Sequence, residues 1–259
     1  MTVVLVHGNP ETAAVWGPLV DALSSRGVTG VVRLSPPGFG AALPDGFPAT
    51  VDAYRDWLIG ELETLVARDG PVDLVGHDWG GGHAVTVAMA RPDLLRSWVS
   101  DVVGIFDPGY VWHDLALTWQ TPGAGESAVE AWFGPERKPE ALVAGLASRG
   151  LPEPVAREVV AGQDEAMGRA VLALYRDAAQ PRLAELGADL ESAAQRPGLA
   201  LLATEDTMVG TDEQRRTAAT RAGARVEVLD GLGHWWMGED PARGARVLAD
   251  FWADSWADR

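Results

Sequence analysis

The sequence predicts an α/β protein, a mostly parallel sheet of about six strands carrying an inserted helical segment. Three observations lead there. Short apolar runs of strand type alternate with longer stretches of helical periodicity. One run, Val72-Asp73-Leu74-Val75, ends in the turn Gly76-His77-Asp78-Trp79-Gly80-Gly81 and leads into a helical segment, His83 to Arg91. The stretch 104–197 contains Pro108, Pro122, Pro135, Pro139, Pro152, Pro154 and Pro181 and no convincing strand.

Val3 to Val6 is the first expected strand, ending at His7-Gly8-Asn9-Pro10; Val15, Trp16, Leu19, Val20 and Leu23 then recur at helical spacing. A second strand, Val31 to Leu34, ends in Ser35-Pro36-Pro37-Gly38-Phe39-Gly40, a turn by composition. Thr50 is placed to cap a helix whose inner face carries Tyr54, Trp57, Leu58, Leu62 and Leu65. After the third strand and its helix, a fourth strand is expected from about Ser97 to Val103. Short helices follow at Pro154 to Ala161 and Gly168 to Ala178. Two more strands are expected at Leu199 to Ala203 and Val226 to Leu229. The closing helix carries Val247, Leu248, Phe251, Trp252 and Trp256. The expected organisation is a core of residues 1–103 and 198–259 interrupted by a helical cap, 104–197. In a parallel sheet, reactive groups gather at the carboxyl ends of the strands. His7, Asp78, Asp101, Asp206 and His234 all fall at or just past such ends.

A chain of 259 residues, 47% hydrophobic, has room for one large core. Its net charge of −16 argues against a nucleic-acid partner, since there is no excess of cations to neutralise phosphates. No apolar run approaches the roughly 18–20 residues of a membrane span, and no basic, cleavable leader is visible, so a cytoplasmic protein, monomeric or homodimeric, is the expectation. With no cysteine, disulfides, thiolate catalysis and thiolate-bound metals are excluded. No cofactor and no metal are expected.

A reactive residue held on a sharp strand-to-helix turn between glycines is the nucleophile-elbow arrangement. Here the residue at its tip is Asp78. With His7-Gly8-Asn9-Pro10, Pro37-Gly38-Phe39-Gly40 and Gly233-His234-Trp235, this turn makes the chain resemble the α/β-hydrolase superfamily, the epoxide hydrolases most and the haloalkane dehalogenases next. The resemblance implies the α/β-hydrolase fold, with the two strands that usually precede the His-Gly strand missing.

A carboxylate is ionised at neutral pH. It suits displacement at a saturated carbon, giving an ester on the enzyme that must then be hydrolysed. Asp78 is the candidate nucleophile and His234 the candidate base for the second step. The resemblance places the acid that orients His234 after the fifth strand, at Asp206 with Glu205 next; Asp101 is the alternative. The backbone N–H groups of Asn9 and Trp79 are the expected oxyanion hole, and His7 a structural hydrogen-bonding residue. Opening an epoxide needs a proton donor opposite the nucleophile, and the resemblance assigns this to His113 and Tyr175, with Leu115 nearest the place of the family's usual first tyrosine. Of the eleven tryptophans, Trp112, Trp119, Trp235 and Trp236 are candidates to line an apolar pocket; Trp16, Trp57, Trp98, Trp252 and Trp256 are expected to pack. The reading is epoxide opening to a vicinal diol on a small apolar substrate. The alternatives are haloalkane dehalogenation, for which Asn9 and Trp79 are halide-type donors, a non-catalytic ligand-binding protein of the same fold, and ester hydrolysis.

Overall fold

The structure, a computed structural model, describes residues 2–257, and side chains through Asp254. Six strands, β1 (Val3–Val6), β2 (Val31–Leu34), β3 (Val72–Gly76), β4 (Leu95–Ser100), β5 (Gly198–Ala203) and β6 (Ala224–Leu229), form one wholly parallel sheet in the order β2-β1-β3-β4-β5-β6. The chain order reverses direction between β1 and β3, and such a switch opens a crevice at the strands' carboxyl ends. Val6 pairs with Gly76, and Gly76 with Ser100. That register brings the loops after β1, β3 and β4 side by side.

Period-two alternation divides the apolar side chains between the sheet's two faces. Val4, Val6, Leu74 and Trp98 join one buried cluster, and Val3, Leu5, Val75, Val99, Leu199 and Leu201 the other. The helices cover both faces, beginning with α1 (Gly17–Ser24), α2 (Val51–Asp69) and α3 (Trp79–Ala90). Thr50 caps α2 as expected, its hydroxyl accepting the Ala53 N–H. Between β4 and β5 the chain forms only helices: α4 (Asp114–Gln120), α5 (Ala124–Phe133), α6 (Pro139–Ala147), α7 (Glu153–Ala161), α8 (Glu165–Asp177) and α9 (Arg182–Leu186), besides 3-10 turns. The carboxyl-terminal part adds α10 (Asp212–Arg221), α11 (Trp236–Glu239) and α12 (Pro241–Ala257). Trp252 is fully buried, as expected; the side chain of Trp256 lies outside the described residues.

Among the boundaries that differ from the expectation, two bear on the site. Helix α3 starts at Trp79, not His83, even though Gly80, Gly81 and Gly82 are weak helix formers. Tertiary contact overrides propensity: a Cβ on Gly80 would collide with the carbonyls of Val6 and His7, so only glycine lets α3 lie against β1. Strand β4 stops at Ser100, where Ser100 Oγ takes the Val102 N–H at 3.2 Å and the chain turns into a 3-10 helix over Val103–Phe106.

Candidate active site

Asp78 is the sharpest point in the backbone. Its φ of +50° and ψ of −128° put a non-glycine residue in a sparsely populated region, which surrounding contacts must hold. Three of them are visible. Asp101 Oδ1 accepts the Asp78 N–H at 3.0 Å. The Asn9 N–H donates to Asp78 Oδ1 at 2.9 Å. Gly76 and Gly80 touch so closely that a Cβ on Gly76 would collide with the Gly80 carbonyl. The turn thus pushes the carboxylate above the sheet, against Gly8 of the β1 loop. Trp79 opens α3, so its N–H has no partner within the helix.

His234 follows β6 and faces Asp78, with Nε2 3.9 Å from Oδ2. Its other nitrogen donates to Asp206 Oδ2 at 2.8 Å. Asp206 also accepts the Met208 N–H at 2.9 Å, which fixes its loop. Burial would raise the Asp206 carboxyl, but the charge and hydrogen bond of His234 outweigh it and hold Asp206 at about 2. Burial likewise would lower His234; Asp206, with help from Asp78, lifts it to about 9. Asp78 itself is pushed up to about 6, mainly by burial and against the pull of His234.

Asp101 is bonded elsewhere. Its Oδ2 accepts from His77 Nδ1 at 2.5 Å and from Trp236 Nε1 at 2.7 Å. It therefore braces the elbow and does not orient His234. Glu205, the other alternative, has an exposed side chain, and its backbone N–H bonds the Leu232 carbonyl. Trp236 is a correction: it is fully buried in the core between sheet and α12, not at a pocket, because its indole N–H reaches down to Asp101. His7 is structural, with Nδ1 donating to the Gly8 carbonyl and Nε2 accepting from Ser35 Oγ; burial lowers it to about 4.

Asp78, Trp79, Tyr110, Trp112, His113 and Tyr175 line one small cavity. An adjoining cavity shares Asp78, His113 and Tyr175 and adds Asn9, Trp119, His234 and Trp235. Trp112 thus lines the first cavity, and Trp119, Trp235 and Leu115 line the second. The Tyr175 ring is boxed by Trp79, Trp112 and Trp119, with centroids at 5.6, 5.3 and 4.7 Å. Burial, reinforced by the Asp78 charge, pushes its hydroxyl well above the ordinary value, while a hydrogen bond with the Trp79 side chain pulls the other way. The hydroxyl stays protonated and able to donate. His113 caps α4: its Nδ1 accepts the Ala116 N–H at 3.2 Å. Burial also lowers its pKa. A neutral ring accepting through Nδ1 carries its proton on Nε2.

Two residues that sequence reasoning passed over lie beneath this cavity. His77, fully buried, donates through Nδ1 to Asp101 and through Nε2 to Glu11 Oε1, 3.2 Å away. Burial opposes its charge, but Asp101 and Glu11 together hold its pKa well above the ordinary value. Glu11, 2% exposed, also accepts the Trp235 indole N–H. Both were within reach of a motif reading, His77 inside the elbow and Glu11 directly after His-Gly-Asn-Pro. Neither type nor spacing said that they meet.

A family model described as "Alpha/beta hydrolase family" matches residues 3–247. The chain belongs to the alpha/beta hydrolase family. Haloalkane dehalogenase 2 of Mycobacterium tuberculosis is 30% identical to it over 211 residues, 78% of this chain and 64% of that one. An epoxide hydrolase of Caballeronia sordidicola is 32% identical over 100 residues, 37% of this chain and 29% of that one. The chain spans only about a third of the length of the first curated relatives it matches, 34% and 29%. Among solved structures, haloalkane dehalogenase DbeA from Bradyrhizobium elkani superposes with a TM-score of 0.73 over 100% of this chain and 91% of its own, at 20% identity. That likeness speaks for the fold. No helix among the described residues is long and apolar enough to cross a membrane.

Proposed function

We propose that this hydrolase opens a small, mainly apolar epoxide to a vicinal diol through an ester on Asp78. The observation that carries the reading is the shared cavity in which the hydroxyl of Tyr175 and the ring of His113 accompany the Asp78 carboxylate. Asp78 Oδ2 attacks an epoxide carbon and its C–O bond breaks. The departing oxygen is met by the O–H of Tyr175 and the Nε2–H of His113, which supply hydrogen bonds and the proton.

Ester formation removes the Asp78 charge. Since that charge helps to raise His234, its loss lowers the His234 pKa and favours the neutral imidazole that can accept a proton. His234, held by Asp206, then takes a proton from water as the water adds to the ester carbonyl. Negative charge on the former Oδ1 falls to the N–H groups of Asn9 and Trp79. Collapse breaks the ester C–O bond; the expelled alkoxide takes the proton of the regenerated Asp78 carboxyl, the proton on His234 returns to the donor that protonated the epoxide oxygen, and the diol is released. In this reading residues 104–197 form a cap over a core of 1–103 and 198–259, and the cap contributes both proton donors.

Haloalkane dehalogenation is the second reading, favoured by one observation. The Asn9 carboxamide is buried beside Asp78 with neither Nδ2 nor Oδ1 bonded, as a halide-holding group would be. Against it, the ring of the other halide-type donor, Trp79, packs against Tyr175, with centroids 5.6 Å apart. The test is His234→Gln, offered small epoxides and haloalkanes separately and weighed intact. A persistent adduct on Asp78 from the epoxide is expected. An adduct from haloalkane alone, with halide release, would overturn the epoxide reading. No adduct from either, with no wild-type turnover, would leave a ligand-binding protein of this fold.

A further inference from the structure

The polar cluster beneath the cavity has a composition that proton transfer at Asp78 and His234 does not require. Glu11, Asp101 and Asp206 are each at most 4% exposed. With Asp78 they make four carboxylates around two histidines, His77 and His234, whose rings lie 4.6 Å apart. Even with both rings charged, the cluster holds more negative than positive charge. Buried charge of this kind is normally paired or bound to a cation.

The orientation of the rings is specific. Each histidine gives Nδ1 to a carboxylate, His77 to Asp101 at 2.5 Å and His234 to Asp206 at 2.8 Å. Each therefore leaves Nε2 for other partners, that of His77 3.2 Å from Glu11 Oε1 and that of His234 3.9 Å from Asp78 Oδ2. Carboxylate–histidine pairs of this form orient metal-ligating imidazoles. One nitrogen from each ring and one oxygen of Glu11 all lie within 4.8 Å of one another. Two histidines and a glutamate are an established zinc donor set. Zinc–ligand bonds of about 2.0–2.2 Å require only modest contraction of such a cluster. A second observation points the same way. Glu11 Oε1 serves His77 and Trp235, but Oε2 is buried with no protein partner.

We propose that Glu11, His77 and His234 form a binding site for a divalent transition ion of zinc type, and that its occupation switches the enzyme off. Asp78 Oδ2, 3.9 Å from His234 Nε2, is the fourth ligand within reach. The ion would take the lone pair that His234 needs as a base and tie down the carboxylate that must attack. His234 faces the cavity that also contains Asn9 and Asp78, so the site has a path inward. The regulatory part rests on the roles proposed above for Asp78 and His234; the binding part does not.

The experiment separates the two. Chelator-treated protein is titrated with ZnCl2 by calorimetry and with CoCl2 by visible absorption, which reports four-coordinate nitrogen and oxygen ligation. One ion per chain is expected, and none with MgCl2, which demands six oxygen-rich positions. Glu11→Gln keeps the acceptor for His77 and Trp235 and preserves the fold, which thermal melting checks. Glu11→Gln and His234→Gln should each weaken Zn2+ at least tenfold, and Asp101→Asn, acting through His77, about 10–100-fold. No binding by the wild type, or equal binding by Glu11→Gln and His234→Gln, overturns the site. If Zn2+ binds at these residues yet does not slow alkylation of Asp78 by any reactive substrate, the switch falls and the site stands.

Discussion

Gly8→Ala tests whether the β1 loop holds the Asp78 carboxylate in place for the proposed attack. A Cβ at Gly8 would lie 2.5 Å from Cγ of Asp78 and closer still to its Cβ and Oδ1. Carbon atoms pack at about 3.5–4.0 Å, so the carboxylate must retreat by about 1 Å or the loop must move away. Either motion stretches the 2.9 Å bond from the Asn9 N–H to Oδ1. A misplacement of about 1 Å at a reacting group is worth up to about 10²-fold in rate. The crowding itself should cost about 1–3 kcal/mol of stability. The assay is the rate of adduct formation on Asp78, followed by intact mass in the His234→Gln background. Gly82→Ala is the control, in the same helix that follows the elbow. Its new Cβ would meet Ile105 Cδ1 at 3.4 Å and the Trp79 ring at 3.8 Å, ordinary contacts. It should react normally and gain about 0.5–1 kcal/mol from helix propensity. A folded Gly8→Ala protein alkylated within threefold of its parent would refute the reasoning.

The acid limb of kcat/KM should lie near pH 6: Asp78 attacks only when ionised, and burial holds it at about 6, so the rate falls about tenfold per pH unit below that. In His234→Gln the limb of the alkylation rate should move to higher pH, because the histidine's charge lowers Asp78; an unmoved limb assigns it to another group. Tyr175→Phe should slow alkylation by about 10²–10³, the scale for losing one donor to a developing oxyanion. Breakdown of a preformed ester should be unchanged, and equal loss in both steps would count against Tyr175 as the donor. His113→Asn keeps a side chain able to cap α4, so it should slow alkylation without lowering the melting temperature; a lowered melting temperature with normal alkylation would make His113 a cap alone. Gly198→Ala should destabilise by about 1–3 kcal/mol, since its Cβ would run into the Trp98 ring across the β4–β5 pairing; an unchanged thermal melt would contradict that packing.

Much of this site was legible because motifs in parallel sheets sit at predictable strand ends. His-Gly-Asn-Pro after β1, the glycine-flanked Asp78 after β3, Asp206 after β5 and His234 after β6 each needed only a strand boundary and a residue type. The boundaries that slipped did so where contact overrode local preference: α3 begins within a glycine run because β1 leaves no room for a Cβ on Gly80, and β4 ends early because Ser100 turns the chain. Trp236 was misjudged since adjacent aromatics in one loop look alike in sequence, while only one of the pair faces the cavity.

By itself, the sequence determined the parallel α/β architecture, the carboxylate at the elbow and the histidine after the last strand. Periodicity and turn composition are local properties and can be read locally. Tertiary structure decided which acid faces His234. Asp101 and Asp206 both end strands and are chemically identical, yet the elbow amide, His77 and Trp236 claim Asp101 and leave His234 to Asp206. It also decided that Glu11 and His77 meet beneath Asp78. That meeting depends on the β1–β3 pairing, which joins residues 66 positions apart, and no local pattern encodes it.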